Sequence, residues 1–178
     1  GWTIIDYYLK RKLSYYFVKR AFAPVKLILR EKDGLVKVMG INDTPEVIRF
    51  EAEYGYVSFV GEKANTTNKP IILEPFSRRI ILEIDKGNHD FTKGLCYVKA
   101  KDNNDNIRAG LLRTGDFRDL DIPSTKLEIS NFRVVEDIGK FIVTSEKYAH
   151  GVHFNLSDDV RLSDEYFDLL PGESREVE

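Results

Sequence analysis

The hydrophobic period changes at Pro24, and that change constrains the fold more than any other feature of the chain. Before it, "WTIIDYYLKRKLSYYFVKR" places Ile5, Leu9, Leu13, Tyr16 and Phe17 on one stripe at helical spacing. Lys10, Arg11, Lys19 and Arg20 lie mostly off that stripe, and Tyr7, Tyr8 and Tyr15 widen it. The spacing predicts one amphipathic helix over residues 1–22. Pro24 ends it, because the residue before a proline is pushed towards extended backbone. Such a face must be buried against something, yet nothing downstream reads as a helical partner. The stripe is expected to dock on the β-sandwich that follows it or on a second copy of the chain.

After Pro24 the period falls to two. "VKLILREKDGLVKVMGI" reads as two strands around Asp33-Gly34, a strong hairpin signal. "VIRFEAEYGYVSFVG" alternates, with Phe50, Ala52, Tyr54, Tyr56 and Ser58 on one face, and "EKANTTNKP" reads as a polar loop. "IILEPFSRRIILEID", "LCYVKAKD" and "IRAGLLR" supply further strands. About seven short strands, with turn signals roughly every ten residues, predict an immunoglobulin-type β-sandwich over residues 24–122.

"TGDFRDLDIPST" reads as a linker around Pro123, with a boundary between Asp121 and Thr125. The pattern then restarts. "LEISNFRVVEDIGKFIVTSE" repeats strand, acidic turn and strand, with Gly139 in the place of Gly34. "DLLPGESREVE" repeats "ILEPFSRRIILE", and Pro171-Gly172 suits the centre of a type II turn. The fold class is therefore mainly β: tandem immunoglobulin-like sandwiches preceded by one amphipathic helix. The second sandwich, residues 126–178, is too short to close with seven strands and is expected to be incomplete.

Composition excludes several classes. Hydrophobic residues make up 42% of the 178 and charged residues 31%, with a formal net charge of −2. A core is affordable in apolar content, and mixed charge makes no electrostatic case for nucleic acid or an anionic membrane. The single cysteine, Cys96, sits in the apolar run "LCYVKA" and reads as a buried structural thiol. No run approaches the length of a membrane-spanning helix, and no signal peptide is visible. The compartment stays open, with the cytoplasm favoured.

Chemistry-bearing patterns are few. "SDDVRLSDEYFD" gathers Asp158, Asp159, Asp164, Glu165 and Asp168 but lacks the spacing and glycine of a calcium loop. Solvated turns account for it better. His150 and His153 are three apart in "HGVH", which on a strand sends the rings to opposite faces. No metal, cofactor or catalytic residue is assigned on these patterns. Asn42, Asn65 and Asn155 begin N-x-S/T sequons.

Both ends of the chain resemble glycoside hydrolase family 2, the β-mannosidase branch. The opening segment is similar to a pattern that closes the family's catalytic barrel, W-S-S-I-D-Y-Y-G-R-W-K-A-L-H-Y-F-A-K-R-F-F-A-P-V. Trp2, Ile5, Asp6, Tyr7, Tyr8, Lys12, Tyr16, Phe17, Lys19, Arg20, Phe22, Ala23, Pro24 and Val25 fall in step with it, whereas Leu9 and Arg11 replace its glycine and tryptophan. Ser163, Asp164, Tyr166 to Glu173 match the family's S-D-N-Y-F-D-L-L-P-G-E, with Glu165 in the place of asparagine. Related exo-β-glucosaminidases and endo-β-mannosidases share this architecture.

The resemblance implies that residues 1–23 are the last helix of a (β/α)₈ barrel that the chain otherwise lacks. Retaining glycosidases need two carboxylates about 5 Å apart, and in this family both lie earlier, on barrel strands. The implied role is a non-catalytic accessory region that braces the barrel of its parent enzyme. Trp2, near the end of the last barrel strand, is the one residue placed to face a sugar there. The implied partner is the catalytic barrel of the same parent chain, with self-association through the first helix as a further expectation and no nucleic acid or membrane. The alternative is an independent carbohydrate-binding or protein-interaction module, which should expose a row of aromatic side chains.

Overall fold

Strand β1 (Val25–Lys32) turns into β2 (Leu35–Asn42) through Asp33 and Gly34, whose φ angles are both positive, 55° and 77°. That geometry matches the right-handed twist of the flanking strands and explains the Asp-Gly pair. Strands β3 (Ile48–Ser58), β4 (Lys63–Leu73), β5 (Ser77–Asp85), β6 (Gly94–Ala100) and β7 (Gly110–Leu112) follow. They form two sheets, β1-β2-β5 and β4-β3-β6-β7. Val36, Val38, Leu73, Cys96 and Val98 are buried in the core built on them. The protein is described by a computed structural model over residues 3–102, 106–157 and 160–178. These strands lie in one of two compact units, Ala23–Ser58 with Glu62–Asp121.

The polar stretch at 62–70 is not the loop its composition suggests. It opens β4, which pairs with β3 from Lys63 onwards. Strand β4 is the outer strand of its sheet, so its side chains can be polar and Pro70 can sit where no ladder donor is needed. Asn42, at the end of β2, is fully buried. Its amide donates to the carbonyls of Glu46, Leu73 and Glu74, and its Oδ1 accepts from the Thr44 backbone and hydroxyl. This sequon asparagine is thus spent on holding a turn. Cys96 is buried, and burial pushes its thiol up to about 11, as expected of a structural cysteine.

The other unit contains the described residues up to Phe22, Phe59–Gly61 and Ile122–Glu178. Strands β8 (Leu127–Val135), β9 (Ile138–Ser145) and β12 (Ser174–Val177) form one sheet; β10 (Ala149–Val152) and β11 (Phe167–Leu169) form the second. Val143, Leu162, Phe167 and Val177 are buried between them. Tyr148 is also buried and stacks on Phe59, with ring centroids 4.9 Å apart. Pro171 and Gly172 form the expected turn: Gly172 has φ 74°, and Glu173 N–H donates to Leu170 O. Gly139, however, does not correspond to Gly34. The β8–β9 turn is Glu136-Asp137, both at positive φ, and Gly139 lies within β9 opposite Val134.

The opening helix is also shorter than the periodicity predicts. Helix α1 spans Leu13–Ala21 only. Residues 3–12 fold as a tight loop in which Ile5 bridges Arg11. Asp6 decides this, because its carboxylate accepts from the Tyr8 and Lys10 backbone N–H groups, 2.9 Å each. A side chain that offers the backbone such partners competes with the helix. Leu9 then takes φ 62°, outside the helical region. Among the described residues no helix is long and apolar enough to cross a membrane.

Candidate functional site

Helix α1 brings cationic side chains to residues 162–166, more than 140 positions away in sequence. Arg20 is the centre of this clasp. Its guanidinium donates to Asp164 Oδ1 (2.5 Å) and to the carbonyls of Glu165 (2.8 Å) and Tyr166 (3.1 Å). Asp164 Oδ2 meets a second cation, Arg175 of β12, at 3.3 Å. Lys19 donates to Ser163 O at 2.6 Å, and Arg11, in the loop before the helix, donates to Leu162 O at 2.9 Å. A planar guanidinium with several fixed donors suits such convergent acceptors. Side chains of Arg20 and Asp164 are only 11% and 15% exposed, so the pair is shielded from water.

Helix α1 therefore belongs to the unit that contains residues 122–178, where polar contacts hold it. The reason is polar. Residues 162–166 are not in a strand, so their carbonyls are open to the donors of α1. Tyr16 is the buried residue of the helix and lies against Tyr166, centroids 6.1 Å apart. Burial, and then the Glu165 carboxylate, push both the Tyr16 and Tyr166 hydroxyls up from their ordinary values.

Beside the clasp lies a cleft of about 510 Å³. Tyr8, Lys10 and Arg11 form one wall, and His153, Glu165 and Tyr166 belong to the other. The imidazole of His153 stacks flat on Tyr166 (4.7 Å, 8°), and its Nδ1 is 3.0 Å from Glu165 Oε1. Glu165 also accepts from Phe154 N–H. His150 does not join this group, for its Nδ1 meets Asp168 Oδ1 at 2.7 Å. Asp168 further accepts from the Tyr148 hydroxyl and the Gly151 N–H. Asp164, Glu165 and Asp168 each hold a different piece of chain. No group of three His, Cys, Asp or Glu side chains among the described residues is placed to hold a metal ion. Trp2, Asp158 and Asp159 lie outside the described residues.

The clasp was missed in the sequence because its acceptors are mostly backbone carbonyls, which leave no residue-type signal. One clue was present: the two segments that carried the family resemblance are the two that meet here.

Residues 122–178 match the Ig_mannosidase family, described as an Ig-fold domain. Two proteins called Beta-mannosidase B, from Aspergillus flavus and Aspergillus oryzae, are each 22% identical to the chain. Each alignment covers 99% of this chain and 23% of the relative, so the chain spans under a quarter of the relatives' length. The crystal structure of a β-D-mannosidase from Dictyoglomus thermophilum matches with a TM-score of 0.91 and 28% identity, over 99% of this chain and 22% of that one. An exo-chitosanase from Amycolatopsis orientalis shares the fold, with a TM-score of 0.65 at 15% identity, over 99% of this chain and 25% of that one. The chain thus resembles the C-terminal, immunoglobulin-like region of family 2 β-mannosidases.

Proposed function

We propose that this chain is a non-catalytic accessory region of a retaining β-mannosidase-type glycoside hydrolase and braces the catalytic barrel of its parent. The observation that carries this reading is a two-sided N-terminal segment. One side is clamped through Arg11, Lys19 and Arg20 to residues 162–166. The other leaves Leu13, Phe17 and Phe22 exposed, together with Tyr7 and Tyr8 at 91% and 85%. Large side chains grouped on one exposed element mark an interaction surface. The barrel would cover them, and the clasp would carry its position to the terminal sandwich.

The test is made in the full-length parent. Arg20→Met should lower the temperature of thermal inactivation while leaving the KM for an aryl β-mannoside unchanged. A changed KM with unchanged thermal stability would sink the bracing role. The exposed Tyr7–Tyr8 pair beside the cleft favours a second reading, a carbohydrate-binding module, since sugars stack on such rings. Titration of the 178-residue chain with manno-oligosaccharides separates the two: a bracing region gives no binding heat, and saturable heat lost on Tyr8→Ala would support the module.

A further inference from the structure

Two residues with large side chains hold left-handed backbone, Leu9 at φ 62° and Tyr166 at φ 53°. Such conformations are costly without glycine and persist where their surroundings fix them, often at binding sites. Each has its own fastening here. Leu9 N–H donates to Asp6 O, within the loop that the Asp6 carboxylate closes. Tyr166 N–H donates to Val152 O, and its carbonyl accepts from Arg20. Both residues line the cleft of about 510 Å³, one on each wall. That volume lies in the range of small-ligand sites.

Polar groups converge on the same space. Arg11 bonds the Tyr16 hydroxyl, which bonds Glu165. Glu165 Oε1 also meets His153 Nδ1 and accepts from Phe154 N–H. Among the described lining residues Glu165 is the one carboxylate, and it is engaged on its own wall. The Lys10 ammonium lies near enough to the Tyr166 hydroxyl to oppose the upward push that burial and Glu165 exert on it. A cation and a hydroxyl thus face one another across the cleft.

We propose that this cleft binds a small oxyanion-bearing sugar, a sugar phosphate or a uronate, with the oxyanion held between Lys10 and the Tyr166 hydroxyl. A charged donor beside a neutral one favours an anionic acceptor. The Tyr8 ring on the first wall offers a flat face for the sugar. The two strained residues then have a use, because walls fixed in advance lose little freedom on binding. The inference rests on the second reading above, a carbohydrate-binding module, and names its ligand class and its polar contacts.

Isothermal titration calorimetry of the 178-residue chain with mannose 6-phosphate, mannuronate, mannose and inorganic phosphate tests it. The two charged sugars separate a phosphate from a carboxylate as the source of the oxyanion. Saturable heat is expected with at least one of them, and none with mannose. Lys10→Gln should weaken that binding about tenfold, the loss of one charge-assisted hydrogen bond. Tyr166→Phe keeps the ring and should weaken it several-fold. Lys10 is exposed, so its variant keeps the test valid if Tyr166→Phe fails to fold. No heat with either charged sugar at millimolar concentration overturns the proposal. So does unchanged affinity in Lys10→Gln, or inorganic phosphate binding as tightly as the sugars, which would mark an adventitious ion only. A neutral manno-oligosaccharide that binds as tightly would support the module and overturn the anionic ligand.

Discussion

The two units solve the same problem, an outer strand with a free edge, in opposite ways. In the unit of residues 23–58 and 62–121, edge strand β4 carries Lys63, Asn65, Thr66, Thr67, Asn68 and Lys69 outside a closed core. In the unit that contains residues 122–178, edge strand β8 carries Leu127, Ile129, Phe132 and Val134, and these remain exposed. The first edge is protected by its own composition. The second leaves its apolar side chains exposed among the described residues. The forces differ too. The first unit is held by buried aliphatic side chains, whereas the helix of the second is held largely by cations on carbonyls and on Asp164. The lesson is that similar strand–turn–strand patterns can hide unequal self-sufficiency.

The largest expected effect tests the cores. Leu73 is fully buried, so Leu73→Ala should cost about 2–5 kcal/mol. Ile129→Ala, on exposed β8, should change stability by less than about 0.5 kcal/mol. Urea unfolding reads both. Equal losses would mean that β8 is covered within the chain and would erase the contrast.

Next comes the comparison of ion pairs. Asp164→Ala leaves Arg20 shielded from water without its carboxylate and should cost on the order of 2 kcal/mol. Lys63→Ala breaks the Lys63–Glu53 pair, 2.9 Å long but with Lys63 48% exposed, and leaves Glu53 bonded to the Tyr97 hydroxyl. Loss of that pair should cost under about 1 kcal/mol. A double-mutant cycle with Arg20→Met isolates the Arg20–Asp164 coupling. Coupling no larger than that of Lys63 with Glu53 would reduce the clasp to a surface contact.

The smallest effect separates the two glycines. Gly34 sits at φ 77°, so Gly34→Ala should cost about 1 kcal/mol through left-handed strain. Gly139 lies in a strand, and an added Cβ would meet only the Phe132 ring at 3.5 Å, an ordinary contact. Gly139→Ala should be close to neutral in thermal unfolding. A comparable loss at both would restore the correspondence that the sequence suggested.

Legibility followed the range of the interaction. Asp33-Gly34 and Pro171-Gly172 were read correctly because turn geometry is decided by the residues within it. Alternation located β3, where Phe50, Ala52, Tyr56 and Ser58 are buried, for the same local reason. The polar first part of β4, residues 63–70, was missed because an edge strand needs ladder partners and no apolar signal. Residues 3–12 misled because their spacing is helical, while the Asp6 carboxylate captures backbone donors that a helix would use.

By itself the sequence determined the β class, most of the turns, the buried thiol and the resemblance at both ends. All of these rest on local chemistry or on residue identity. Tertiary structure alone decided that Arg20 reaches Asp164 and two carbonyls, that Asp168 serves both Tyr148 and His150, and that Leu9 and Tyr166 line one cleft. Those outcomes depend on backbone atoms and on register between distant strands, and a backbone carbonyl looks the same at every position of a sequence until folding brings a donor to it.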